Sequence, residues 1–424
     1  VDGDRITAVG DRDTCTAAAG DGAEVVDASG CVLLPGFVDG HSHLLMTGSA
    51  LSQAQLRDAT TLDEIRRRLV EWAEANPDSP YVLGTSFLFD AVPDNEPTRH
   101  MLDDLFPDRP VFIDSFDLHC GWVNTAALAL MEVTADTPDP IGGEIRRDPA
   151  TGEATGYLLE TALHTHMWAF LARTDDATRD RNLATAVRAL NETGTTTAVD
   201  MAVGPDDAAT FARAEANGTL TLRIIGHWVV RNTGSDPDNL AQVEEAHRRT
   251  MQHTGGMFRV AGIKLVTDGT IDACTAAMVE PYTTGANCDP IWPLERLLPV
   301  VELADRLGLQ VACHAIGDQA VRNAIDAIER AQQVNGTGDR RHRIEHLEYA
   351  DAADIPRLGA LGITASMQPV HCDPAIAGNW AEMLGPDRAP EGFNWPGYLN
   401  SGATLAFGTE IGRASCRERV SSPV

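Results

Sequence analysis

Leu33-Leu34-Pro35-Gly36-Phe37-Val38-Asp39-Gly40-His41-Ser42-His43 decides how this chain is read. An apolar run that ends in His-x-His reads as a buried strand carrying two imidazoles at its carboxyl end, because alternate residues of a strand share a face. His41 and His43 then point the same way, and Ser42 points the other. Two neutral imidazoles on one rigid strand make half of a zinc-type site. The pair alone is an ordinary signal, since core and solvated histidine pairs are common, so the rest of the chain must supply the other half.

Working outward, the chain after about residue 175 alternates helix and strand patterns. Helices are expected over 179–191, 206–216, 237–252, 294–307, 319–333 and 353–361. Strands are expected at 195–201, 220–230, 258–266, 310–314, 342–346, 363–367 and 403–408. With the strand at Leu33 this gives eight βα units, which predicts an α/β fold with a closed (β/α)8 TIM barrel whose chemistry sits at the carboxyl ends of the strands. Residues 1–32 alternate short apolar pieces with Gly and Asp turns, as expected for a partial N-terminal β-sandwich. The barrel spans 33–410, with residues 44–175 as a subdomain inserted after strand 1.

The expected strand ends carry His41 and His43 (strand 1), Lys264 (strand 4), His314 (strand 5), His346 (strand 6) and position 410 (strand 8). A lone histidine at a strand end is usually a hydrogen-bonded core residue. Lys264, the sole lysine of the chain, lies inside the apolar run Val260–Val266, where an unpaired ammonium is costly. Together, on matching strand ends, they predict a metal site.

Bulk properties narrow the function class. The 33 basic and 62 acidic residues give a formal charge of −29, which repels nucleic-acid backbones and anionic lipid surfaces. No stretch approaches the roughly 20 apolar residues that span a bilayer. The eight cysteines include no Cys-x-x-Cys pair, so neither a thiolate zinc knuckle nor a disulfide framework is indicated. A reducing cytoplasm is the expected location, although the chain opens at Val1 and the sequence is silent on a preceding signal peptide.

The ordered motifs Pro35–His43, His119-Cys120-Gly121-Trp122-Val123-Asn124-Thr125-Ala126-Ala127-Leu128, Gly262–Gly269, His314-Ala315-Ile316-Gly317-Asp318, Arg343-Ile344-Glu345-His346 and Phe407-Gly408-Thr409 resemble the amidohydrolase superfamily. Within it they are similar to amidohydrolase family 3, the group of YtcJ-like proteins and N-substituted formamide deformylases. The resemblance implies a metal-dependent hydrolase of non-peptide carbon–nitrogen bonds, with a barrel, a sandwich built from both chain ends and an insertion after strand 1. It implies that His41 and His43 hold one divalent metal, expected to be zinc, and that His314 and His346 hold a second. Lys264 would bridge them as a carbamate formed with CO2, and hydrolysis would proceed by a hydroxide shared between the metals. The catalytic acid of the family follows the last strand in a Gly-Ser/Thr-Asp pattern, which here reads Gly408-Thr409-Glu410. His119, Trp228, Asp268 and Gln368 are the candidate substrate contacts. The expected partner is a small amide-type molecule, with a homodimer as the candidate assembly. A mononuclear deaminase and an inactive scaffold on the same barrel are the alternatives; the deaminase normally adds a Glu three residues after the fifth-strand histidine, where this chain has Gly317.

Residues 411–420, Ile-Gly-Arg-Ala-Ser-Cys-Arg-Glu-Arg-Val, are what a common sequencing-adapter string encodes, so 411–424 read as an adapter-derived tail. The codon of residue 410 would then be part adapter, and the family pattern places Asp there. On this reading the chain also lacks the C-terminal part of the sandwich, whose remaining strands would have unpaired edges prone to aggregation.

Overall fold

The computed structural model describes residues 1–410 apart from residues 4, 117–119, 141–142, 172, 272–273 and 373, and apart from the side chains of 160, 255 and 374–378. The expected adapter-derived tail, 411–424, lies outside the described residues. The chain forms two units, Val1–Gly36 and Phe37–Val424. In the first, the short strands expected over 1–32 are replaced by one isolated bridge between Asp2 and Arg5 and by a helix, Arg12–Ala19, capped by the Asp11 side chain. Val25, Val26 and Val32 are exposed. A strand pattern becomes a strand only when another strand satisfies its backbone groups, and residues 6–36 form no strand pairing.

The second unit contains the barrel. Its strands are β1 (Phe37–Ser42), β2 (Thr195–Val203), β3 (Arg223–Val229), β4 (Phe258–Val266), β5 (Gln310–Ala315), β6 (Arg343–His346), β7 (Thr364–Met367) and β8 (Thr404–Phe407). Each pairs in parallel with the next, in sequence order from β1 to β8. A parallel bridge between Ser42 and Glu410 brings the last strand back to the first. That closure requires close backbone approach: a Cβ on Gly408 would lie 2.4 Å from the His41 backbone nitrogen, and one on Gly40 would lie 2.7 Å from the Phe407 carbonyl oxygen. Only glycine fits at these two positions.

Helices between the strands start where the sequence supplies caps. Asp175 caps Asp176–Glu192, and Ser235 caps Asp236–Gln252, each accepting a backbone N–H of the first turn. Their apolar stripes cover the sheet; helix Asp318–Asn335, for example, buries Ala320, Val321, Ala324, Ile325, Ile328 and Ala331. Between β1 and β2 lies a separate mixed sheet of six strands, in the order 54–55, 82–87, 111–115, 120–123, 154–160 and 143–147. It has its own core, including Ile65, Leu69, Phe87, Ile113 and Trp122.

Candidate metal centre

The alternation of β1 places its residues as the pattern requires. Ser42 donates to the Val199 carbonyl at 3.2 Å, while the rings of His41 and His43 lie edge to face at 5.3 Å between centroids. Glu410 arrives from the closing strand: its Oε2 lies 3.1 Å from His41 Nε2 and its Oε1 lies 3.3 Å from His43 Nε2. His346 follows from β6, with Nδ1 4.0 Å from the same carboxylate and its ring 5.1 Å from that of His41. His314, at the end of β5, packs edge to face on His346 at 4.4 Å. Lys264 is buried in β4.

This cluster holds polar atoms that nothing in the protein satisfies. His41 Nε2, His43 Nδ1, His346 Nδ1 and Glu410 Oε2 are buried and make no hydrogen bond of acceptable geometry. Leaving such atoms unpaired is expensive, and His41 Nε2 and His346 Nδ1 lie 3.1 and 4.0 Å from Glu410 Oε2, so the convergence of these three points to an absent partner. His41, His43 and Glu410 place donor atoms within 4.8 Å of one another. Donor separations of 3.1–3.3 Å suit a tetrahedral cation with bonds of about 2.0–2.1 Å. The residues present therefore fit a divalent metal.

Electrostatics favours the same occupant. Burial pushes the imidazolium of His41 down to about 4 and that of His314 to about 3, so both rings are neutral at pH 7. Burial likewise lowers the Lys264 ammonium. At Glu410 burial opposes the charged form, but the surrounding His41 and His346 prevail and hold the carboxyl well below its usual range.

Several supporting groups went unrecognised in the sequence. Glu345 hydrogen-bonds His41 Nδ1 at 2.6 Å and is itself gripped by Arg343, which also donates to Gly40 O and Ser366 Oγ. Strand alternation argues against Glu345 and His346 serving one site. His346, however, has φ of 75° and Leu347 of 48°, so the alternation breaks at the strand end. Asp39 accepts from the Thr409 backbone at 3.0 Å and from its hydroxyl at 2.5 Å, tying the turn that carries Glu410 to β1. An Asp two residues before the His-x-His motif is the sequence signal that could have found it.

The candidate substrate contacts separate. His119 lies outside the described residues. The Trp228 ring is buried on β3 with the Arg249 guanidinium of helix Asp236–Gln252 over it, 5.1 Å from its centroid. Asp268 is buried, with its oxygens accepting the backbone N–H groups of Ala277, Ile316 and Gly317, which gives it a structural task in joining two loops. Gln368 follows β7, buried, with neither amide atom hydrogen-bonded.

Among the described residues no helix is long and apolar enough to cross a membrane. The profile of the amidohydrolase family matches residues 24–419. The chain is 30% identical to the putative amidohydrolase YtcJ of Bacillus subtilis, over 91% of its own length and 72% of that protein. It is 29% identical to an N-substituted formamide deformylase of Arthrobacter pascens, covering 91% and 70% of the two chains. The crystal structure of an uncharacterized metal-dependent hydrolase from Pyrococcus horikoshii superposes with a TM-score of 0.69 at 26% identity, over 88% of this chain and 70% of that one. The match along most of the sequence, on a barrel whose strand ends gather these imidazoles and this carboxylate, shows that the chain belongs to the amidohydrolase family.

Proposed function

We propose that this protein hydrolyses a non-peptide carbon–nitrogen bond, of the amide or formamide type, in a small molecule. The observation that carries the reading is the convergence of unsatisfied atoms from His41, His346 and Glu410 at the carboxyl end of the barrel, with His43 Nε2 beside the same carboxylate. His41, His43 and Glu410 would hold one divalent cation, zinc being the candidate. His314 and His346 would hold a second, with Lys264 between them. A cation bound there supplies Lewis acidity, lowering the pKa of a water towards ~7 and polarising a substrate carbonyl.

The chain's own groups do the rest. Glu345 fixes the tautomer of His41. Burial lowers the Lys264 ammonium and so favours the free amine; a free amine there would add CO2 to give a carbamate with release of one proton. The Glu410 carboxylate takes the proton of the attacking water and passes it to the leaving nitrogen. A carbon–oxygen bond forms, the carbon–nitrogen bond breaks, and an acid and an amine leave. Gln368 offers one donor and one acceptor to an amide substrate.

The deaminase alternative is opposed at position 317. A Cβ on Gly317 would lie 2.2 Å from the Ala277 carbonyl oxygen, so no side chain fits where that chemistry needs a Glu. The test is amine release from N-substituted formamides, N-acyl amines, ureas and cyclic amides by zinc-loaded protein made with bicarbonate, alongside the native mass at Lys264. Chelator-sensitive turnover of one amide class supports the reading. Metal-loaded protein that turns over none of them, or only releases ammonia from aminopurines, overturns it.

A further inference from the structure

We propose that Gln368 determines specificity by accepting the N–H of the scissile nitrogen, which restricts the enzyme to amides and formamides whose nitrogen carries a hydrogen. This rests on the reading given above and names which members of that substrate class are taken. Gln368 is 2% exposed, and neither its Oε1 nor its Nε2 has a hydrogen-bond partner. A buried side-chain amide in that state is unfavourable whichever way its two ends are assigned, since one end accepts and the other donates.

The fold places this amide at the metal centre. β7 ends at Met367, still in register with Phe407, and the Gly408 N–H donates to the Met367 carbonyl at 3.1 Å, so Gln368 extends the strand by one step. Two residues earlier, Ser366 Oγ accepts from Arg343, which also grips the Glu345 that holds His41. Alternation puts Gln368 on the same inner face, one layer nearer the carboxyl end, where His41, His346 and Glu410 converge. Its backbone carbonyl accepts the His371 N–H at 3.0 Å, pinning the chain at the start of the 3-10 turn Pro369–Cys372. The polar side chains nearby are engaged elsewhere. His371 Nδ1 lies 2.5 Å from Glu348, and Arg343 is taken by Glu345, Gly40 and Ser366.

A secondary amide brings one N–H on its scissile nitrogen. As the carbon–nitrogen bond breaks and Glu410 delivers its proton, that nitrogen gains positive charge and its N–H becomes a stronger donor. A hydrogen bond to Gln368 Oε1 therefore tightens in the transition state and acts on kcat more than on KM. The Nε2 end is left to donate to a substrate oxygen. An N-methyl group in place of the hydrogen meets the buried acceptor with nothing to donate.

The test uses zinc-loaded protein with N-butylformamide and N-butylacetamide, each beside its N-butyl-N-methyl counterpart. Wild type is compared with Gln368→Met, which keeps the length of the side chain and loses both hydrogen-bonding ends. Wild type should favour the N–H members by about 100-fold or more in kcat/KM, mainly through kcat, and Gln368→Met should bring each pair within about fivefold. Because the amide it removes is unpaired in the free protein, Gln368→Met should melt at or above the wild-type temperature. Three results would overturn the assignment: equal rates on both members in the wild type, a preference that persists in Gln368→Met, or a variant that melts well below wild type. Equal rates would refute the role of Gln368 and leave the hydrolysis standing. If no amide is turned over, calorimetric binding of the same pairs separates the two readings. An N–H preference in binding that Gln368→Met abolishes would refute the reaction and leave Gln368 standing; equal or absent binding would refute both.

Discussion

The Glu345 carboxylate lies 2.6 Å from His41 Nδ1, and that contact decides which nitrogen of His41 faces the metal centre. Burial alone would raise the Glu345 carboxyl, but Arg343 and His41 hold it well below its ordinary range. Ionised, it can only accept, so Nδ1 carries the proton and Nε2 presents its lone pair towards Glu410. Glu345→Gln keeps the size of the side chain, loses this lock and leaves Arg343 without its counter-charge. We expect metal affinity to fall by roughly 10–100-fold, read by competition with a chelating dye. An affinity equal to the wild type's would show that Glu345 serves the barrel rather than the metal.

The contrast between His41 and Glu345 explains what could be read in advance. His-x-His at a strand end, and the recurring helix and strand periods after residue 175, reflect local rules of face and period, so seven barrel strands fall close to where the sequence places them; β1 is shorter than expected, beginning at Phe37, and the apolar residues Leu33, Leu34, Phe37 and Val38 are exposed and not buried. Glu345 sits on the wrong parity for a site residue, and only the positive φ of His346 lets both serve one centre. Asp39 and Thr409 meet across 370 residues of chain, a contact no local pattern encodes. Trp228 meets Arg249 of helix Asp236–Gln252, a contact that the period-2 rule allows for the face opposite His227. In residues 1–32 the alternation is present, but strands form only against a partner.

Asp114 in the inserted sheet gives a pH test remote from the metal centre. Burial raises its carboxyl from 3.8 to about 6 against the opposing hydrogen bond from Trp168 Nε1. Between those values the folded protein holds a proton that the unfolded chain has released. Stability should therefore fall as pH rises from about 4 through 6, by about 1–3 kcal/mol from this group. Asp114→Asn keeps an acceptor for Trp168 and removes the charge. Urea unfolding should show the variant more stable than wild type at pH 7.5 and equal to it near pH 4; a constant difference at both would reject the assignment.

Closure of the barrel depends on absent side chains. A methyl group on Gly408 would press on the backbone of His41 at 2.4 Å, and backbone on both sides leaves little room to yield. Gly408→Ala should cost about 1–3 kcal/mol of stability and also weaken metal binding, because the strand it displaces carries His41 and leads to His43. Full stability with intact metal content would mean that β1 and β8 can separate freely.

Position 410 is the sharpest test of how the centre is built. Glu410 has φ of 66°, and in this left-handed region Asp is tolerated better than Glu because its short side chain bonds locally. The backbone there is fixed independently of the side chain. The Glu410 N–H donates to His41 O at 2.9 Å, the His43 N–H donates to Glu410 O at 3.0 Å, and Asp39 holds Thr409. Glu410→Asp should therefore leave the chain path unchanged while withdrawing the carboxylate by one methylene and fixing it with fewer rotatable bonds. The sequence pattern Gly408-Thr409 followed by an acid matches the family form that ends in Asp. We expect the variant to melt at or above the wild-type temperature, to bind at least as much metal, and to raise kcat on any amide substrate by about tenfold, which corresponds to about 1.4 kcal/mol of barrel-enforced alignment. A fall in kcat at unchanged metal content would show that the longer side chain is needed to reach between His41 and His43.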